Sequence, residues 1–241
     1  MKTCVYTLGC KVNTYESEYI MLKLIEAGYD VVNNLDETSD VYIINTCTVT
    51  NTADIKSRKI INRIKRNNPN ACIVALGCYV EDHPDEFNDI DIYVGNKDKS
   101  KIVELLDKYF TNKEPIRRVG LDKDSFEDMF ITDFKNRCRA FVKVQDGCEN
   151  FCSYCIIPYV RGKCRSKDLD TVVSEVTALV NKGFKEIVLT GIHTGNYGVD
   201  LDTNFATLLK ELIKIEGLKR LRISSIEVTE LNSDVLDVIK K

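Results

Sequence analysis

The chain has 241 residues, 44% hydrophobic and 29% charged, with ten cysteines, no tryptophan and a formal net charge of −3. Those fractions belong to a soluble globular protein of one large or two ordinary domains, and the mild acidity gives no overall field that would attract nucleic acid. No segment approaches membrane-spanning length and the opening apolar run is too short for a signal peptide, so the expected location is cytoplasmic, with no membrane partner.

The expected class is α/β. Over residues 1–111 strand and helix patterns alternate. Lys2–Leu8 reads as a strand, Tyr15–Ala27 as a helix, and Asp30–Asn33 as a short strand after the Gly28 stop. Asp40–Asn45 reads as a buried strand, and Asp54–Asn67 as an amphipathic helix. On that helix Lys56, Lys59, Arg63 and Arg66 share one arc while Ile60, Ile61 and Ile64 share another. The basic arc is either a solvated face or a local patch for nucleic acid. Asn70–Leu76 and Ile90–Val94 read as strands, and Lys99–Phe110 as a closing helix; His83-Pro-Asp-Glu reads as a helix start. Val- and Ile-rich strands alternating with helices predict a doubly wound parallel sheet.

Residues 112–136 lose this periodicity and are read as a linker. Alternation resumes over 137–241. Ala140–Gln145 is expected as a strand, Ser166–Lys182 as a helix stopped by Gly183, and Glu186–Thr190 as a strand. Phe205–Ile215 is expected as a helix stopped by Gly217, Arg220–Ser224 as a strand, and a last helix begins near Glu230. These are the first three strand–helix units of a partial barrel. Three units neither close nor nearly close one, so the chain is expected to be a piece of a longer protein.

Structural disulfides are not expected in a reducing compartment, which leaves ligation, redox chemistry or burial for the thiols. Cys4 and Cys72 sit within apolar strands and read as small buried hydrophobes; Cys138 and Cys164 are read the same way. Cys148, Cys152 and Cys155 are different. They follow a strand with spacing C-x3-C-x2-C. Three thiolates hold three irons of a cubane and leave the fourth iron open, whereas a cluster that only passes electrons normally has four Cys ligands.

Cys10, Cys47 and Cys78 each fall just past the end of a predicted strand, and Cys10 and Cys78 share the tripeptide Leu-Gly-Cys. In a parallel sheet those strand ends lie along one ligand-binding edge, and the preceding glycine lets the backbone bend around a bulky group. A zinc site is the alternative, but it needs a fourth ligand that the usual Cys pairs with a partner His do not supply. His193 has no ligand spacing to any Cys and is read as structural. Arg161, Lys163, Arg165 and Lys167, directly after the loop that ends at Cys155, form a second and more suggestive basic cluster, and the first three are candidates for nucleic-acid phosphate contact.

The stretches Leu8-Gly-Cys-Lys-Val-Asn13, Asn45-Thr-Cys47, Gly77-Cys78, Gly147–Gly162 and Leu189–Gly195 together resemble the radical S-adenosylmethionine (radical SAM) methylthiotransferase family. The opening Thr-Leu-Gly-Cys-Lys-Val-Asn is most similar to its MtaB-type branch. The resemblance implies two [4Fe-4S] clusters, one on Cys148, Cys152 and Cys155 that chelates S-adenosylmethionine, and one on Cys10, Cys47 and Cys78 that holds the sulfur to be transferred. It implies a tRNA anticodon stem-loop as partner, with N6-threonylcarbamoyladenosine as the substrate converted to its 2-methylthio form. It also implies a reductant protein such as flavodoxin or ferredoxin. Tyr154, Thr190, Gly191 and Ser224 are the expected cofactor contacts. The family continues past this end with more barrel units and a small β-rich RNA-binding (TRAM) domain. The other branches, acting on isopentenyladenosine or a ribosomal protein, and an inert cluster-binding fragment are the competing readings.

Overall fold

The structure is a computed structural model that describes residues 1–87, 89–121, 125–134 and 138–240. Parts of the expected linker, 122–124 and 135–136, lie outside the described residues, as do Lys241 and the first residue of the second predicted domain. The chain divides into two compact units. One is Met1–Asp122 with Cys152–Arg161, and the other is Lys123–Phe151 with Gly162–Lys241.

The first unit runs β1 (Lys2–Thr7), α1 (Lys11–Glu26), β2 (Asp30–Val32), β3 (Val41–Thr46), α2 (Asn51–Asn67), β4 (Cys72–Gly77), α3 (Cys78–Asp82) and β5 (Ile92–Val94). A 3-10 turn at Lys99–Lys101 then leads into α4 (Ile102–Asn112) and β6 (Ile116–Arg118). All strands are parallel, in the order β2-β1-β3-β4-β5-β6. Successive side chains of a strand point to opposite faces. Val41 and Ile43 of β3 therefore join Ile20 and Leu24 of α1 and Leu105 and Leu106 of α4 on one face. Tyr42 and Ile44 join Ile61 and Ile64 of α2 and Tyr79 of α3 on the other. Strand order reverses between β1 and β3, which is the crevice where such sheets bind ligands.

Several expectations are corrected. The first helix begins four residues before Tyr15, at Lys11, because the Thr14 amide donates to the Cys10 carbonyl (3.0 Å) and closes a polar first turn directly after the strand. His83 does not open a helix; it ends α3, its amide donating to the Tyr79 carbonyl. The linker is also shorter than its composition suggests. Ile116–Arg118 is a sixth strand paired with β5, hidden in the sequence because only Ile116 of the three is buried. Residues 152–161, with the short helix α5 (Ile157–Arg161), belong to this unit although they sit inside the second domain by sequence.

The second unit runs β7 (Ala140–Lys143), β8 (Gln145–Asp146), β9 (Arg165–Ser166), α6 (Leu169–Asn181), β10 (Glu186–Thr190), α7 (Phe205–Leu212), β11 (Arg220–Ile223) and α8 (Ser233–Ile239). The three-stranded sheet β11-β10-β7 is parallel, and β8 pairs antiparallel with β9. Side chains of Asp168, Asn204 and Asn232 cap α6, α7 and α8 by accepting from amides three residues on. The last helix starts at Ser233, after a 3-10 turn at Val228–Glu230. Residues 125–134, expected as linker, are partly core: Met129, Ile131 and Phe134 are buried. Their backbone is pinned to α6, since the buried Lys167 ammonium donates to the Met129 carbonyl (2.5 Å) and to Glu175 (2.6 Å), while Glu175 accepts from the Ile131 amide (2.9 Å). Among the described residues no helix is long and apolar enough to cross a membrane.

Candidate cluster sites

Cys10 is the N-cap of α1 just beyond β1, Cys47 follows β3, and Cys78 begins α3 directly after β4. All three therefore lie at the carboxyl edge of adjacent strands, and Cys10 and Cys47 flank the reversal of strand order. Glycine geometry lets the loops that carry them approach one another. Gly9 has φ +102, and a Cβ there would lie 2.9 Å from the Cys47 sulfur. Gly77 has φ +103, and a Cβ there would lie 2.7 Å from Asn45 Oδ1 and the Thr46 carbonyl. Both are backbone positions that L side chains rarely adopt.

Asparagines then tie the loops together. Asn13 Nδ2 donates to the Leu8 and Thr46 carbonyls (both 2.8 Å), stapling the β1 and β3 loops. Asn45 Nδ2 donates to the Asn13 carbonyl (3.1 Å) and to Ser17 Oγ (3.0 Å). Asn96 Nδ2 reaches the Cys78 sulfur (3.4 Å) and the Val160 carbonyl (2.7 Å). Burial pushes the Cys47 thiol up, and the nearby sulfurs of Cys78 and Cys10 add to this; a hydrogen bond from the Val49 backbone and the Arg161 charge oppose it. The three thiols thus share one electrostatic neighbourhood.

Arg161 is the residue that sequence reasoning misplaced. It is 0% exposed. Nε donates to the Cys78 sulfur (3.3 Å), Nη1 to Glu16 Oε1 (3.0 Å) and Nη2 to Asn13 Oδ1 (2.8 Å), so it does not face outward toward an RNA phosphate. The other Glu16 oxygen accepts from the buried Lys99 ammonium (2.5 Å). Glu16 and Lys99 were missed altogether, and the buried face of α1 gave no apolar pattern to set Glu16 apart, because Asn13, Ser17 and Glu18 are buried beside it. Arg165 is buried as well, and of the three expected phosphate contacts Lys163 alone is exposed.

In the second unit the turn into Cys148 is fixed by Gly147 (φ +74), where a Cβ would lie 1.8 Å from the Lys163 carbonyl oxygen. The Cys148 amide donates to the Gly162 carbonyl (3.0 Å). Gln145, whose side chain carried no signal in the sequence, organises this turn. Its Nε2 donates to the carbonyls of Asp146 (2.8 Å) and Gly147 (2.7 Å) and to the Cys164 sulfur (3.0 Å), and its Oε1 accepts from the His193 amide (2.7 Å). His193 is not merely a packing residue. Its Nδ1 lies 3.7 Å from the Cys148 sulfur and 2.9 Å from Asn196 Nδ2, and its Nε2 meets Glu230. Thr190 is buried at the end of β10, Gly191 follows it, and Ser224 just past β11 donates through Oγ to the Leu189 carbonyl (2.8 Å). Cys152 and Cys155 belong to the first unit, joined by a turn in which the Cys155 amide donates to the Cys152 carbonyl (2.9 Å), and Tyr154 between them is 89% exposed.

The remaining thiols differ in chemistry. Desolvation by burial raises Cys4 and Cys164 to about 11 and Cys72 to about 12. Alkylating reagents attack the thiolate, so these three are expected to resist iodoacetamide in the metal-free native chain while exposed Cys10, Cys138 and Cys152 label first. Peptide mass spectrometry after a timed pulse checks this; early labelling of Cys72 contradicts it.

In residue type the two cysteine sets suit an iron–sulfur group, while among the described residues no three Cys, His, Asp or Glu side chains are drawn together as a metal site. Thiolates are soft ligands, and the glycine turns leave backbone, rather than side chains, beside the sulfurs. The Arg161–Glu16–Lys99 group sets two cations against one carboxylate next to Cys78, a charge that favours an anionic occupant.

The fold is a parallel sheet with three cysteines at its carboxyl edge, followed by strand–helix units opening on a C-x3-C-x2-C loop. Residues 2–95 match the family described as uncharacterized protein family UPF0004, and residues 142–241 match the radical SAM superfamily. The chain is 47% identical over 243 residues to the threonylcarbamoyladenosine tRNA methylthiotransferase MtaB of Bacillus subtilis, covering 98% of this chain and 54% of that protein. It is 34% identical to a tRNA-2-methylthio-N(6)-dimethylallyladenosine synthase of Clostridium botulinum, covering 98% and 55%. Among solved structures it is similar in fold to the radical S-adenosylmethionine methyltransferase TsrM of Kitasatospora setae. The TM-score is 0.66 at 16% identity, over 99% of this chain and 57% of that one. Over nearly its whole length the chain is thus similar to curated radical SAM methylthiotransferases, with higher identity to the MtaB proteins than to the dimethylallyladenosine synthases. It spans about half the length of the curated relatives it matches.

Proposed function

We propose that the chain is the cluster-bearing part of a tRNA methylthiotransferase that converts N6-threonylcarbamoyladenosine next to the anticodon to its 2-methylthio derivative. The observation that supports this is the pair of three-cysteine sets, one on the carboxyl ends of the adjacent strands β1, β3 and β4 and one in the C-x3-C-x2-C loop, in a chain similar to this family. Cys148, Cys152 and Cys155 would hold one [4Fe-4S] cluster and Cys10, Cys47 and Cys78 the other. When bound, these groups supply an electron to S-adenosylmethionine, hence a carbon radical able to take hydrogen from an unactivated adenine C2, and the sulfur that replaces it.

The chain's own residues bind and orient. Gly147 and Gln145 fix the direction of Cys148, and His193, held by Asn196 and Glu230, stands against its sulfur. Thr190, Gly191 and Ser224 occupy strand ends suited to cofactor contact, and Tyr154 offers an exposed ring for stacking on a nucleoside. For the tRNA, α2 carries six cations against the single carboxylate of Asp54, and Lys56, Lys59 and Arg66 stand exposed on it. They give the first unit the local phosphate-binding surface that an acidic chain needs, and Lys163 is a separate candidate in the second unit. The reductant is a small redox protein of the flavodoxin or ferredoxin class, and the setting is the cytoplasm.

Nucleoside analysis of tRNA from cells with and without the gene tests the reading. Loss of 2-methylthio-N6-threonylcarbamoyladenosine alone supports it, whereas loss of the dimethylallyl nucleoside moves the chain to the other tRNA branch. In purified protein Cys152→Ala is expected to abolish reductive cleavage of S-adenosylmethionine; persistent cleavage overturns the cofactor assignment.

A further inference from the structure

We infer that Arg161 is a positioning residue for the first unit's cysteine site and tunes whatever cluster that site holds. This rests on the reading of Cys10, Cys47 and Cys78 as cluster ligands. Six residues after Cys155, Arg161 reaches a sulfur of the first set. Its guanidinium is committed on every edge: Nε to the Cys78 sulfur, Nη1 to Glu16, and Nη2 to Asn13, whose Oδ1 lies 3.8 Å from the Cys10 sulfur. One planar group therefore touches one ligand directly, while the Asn13 Oδ1 that it also holds accepts from the Cys10 thiol in the metal-free chain. Asn96 adds another N–H directed at Cys78.

Hydrogen bonds to the sulfurs and local charge are among the terms that set the reduction potential of an iron–sulfur cluster. A donated hydrogen bond and an adjacent positive charge both favour the more negative, reduced form and so raise the potential. An arginine cannot lose its proton here, so the effect is constant over the working pH range. Glu16 and Lys99 hold the guanidinium at this angle rather than touching the sulfurs themselves. The pairing also ties the segment that carries Cys152 and Cys155 to the site formed by Cys10, Cys47 and Cys78.

The test uses the 241-residue chain with Cys148, Cys152 and Cys155 all replaced by Ala, so that only the first site can be loaded. After anaerobic reconstitution, iron content and the midpoint potential from redox-titrated EPR are read. Arg161→Gln is expected to shift the potential to more negative values with cluster iron retained, and Arg161→Lys, which keeps the charge but loses the Nε donor, to shift it less. If Arg161→Gln does not fold, Arg161→Lys alone reads the donation to Cys78. Retained iron with an unchanged potential in the folded variants overturns the inference. A parent chain that takes up no iron overturns instead the assignment of Cys10, Cys47 and Cys78 on which it rests.

Discussion

Glu16→Ala is expected to destabilise the first unit by about 3–5 kcal/mol, the range for breaking a buried ion pair by removing one partner. Glu16 is buried between Lys99 and Arg161, themselves fully buried, and its carboxylate accepts from both. Removing it leaves two cations inside the protein without this counter-charge, in a place that water does not reach. The loss should appear first in the elements that meet at the site, as faster hydrogen exchange of the β1 and β3 amides, and in a lower urea midpoint followed by circular dichroism. The second unit, which does not contain Glu16, should keep its exchange protection. Unchanged protection of β1 in the variant contradicts the electrostatic account of the network.

Gly147→Ala is expected to prevent loading of the radical SAM loop while leaving the first site intact. The left-handed backbone alone costs an L-residue about 1–2 kcal/mol. The larger effect is steric, because the added carbon would overlap the Lys163 carbonyl oxygen, which is backbone and has no rotamer to relieve it. The turn must then open, and the Cys148 amide loses its bond to the Gly162 carbonyl. Reconstitution should fall by about four iron per chain, one cubane, while the signal of the first site persists. Full iron content in this variant contradicts the tight turn as the device that directs Cys148.

The alternation of Val- and Ile-rich strands with helices made the doubly wound sheet readable in advance, and the Leu-Gly-Cys and Asn-Thr-Cys stretches fixed where its binding edge would lie. Charge was less readable. Arg161 and Arg165 look like a basic surface cluster in one dimension, and only tertiary contacts with Glu16 and Asn13, about 145 residues away, show that Arg161 is interior. Gln145 and His193 were invisible for the same reason: their partners come from three separate loops, and no local spacing encodes them. β6 escaped notice because a three-residue edge strand needs only one buried side chain.

The first unit is discontinuous in sequence, and this bears on the order in which the protein is made. When residue 121 leaves the ribosome all six strands of the sheet exist, yet Glu16 and Lys99 still wait for Arg161, and Asn96 for the Val160 carbonyl. The site can be completed only after some forty further residues have been synthesised, including the whole C-x3-C-x2-C loop. A fragment cut at the apparent domain boundary would carry the cysteines of the first site without the guanidinium that braces them.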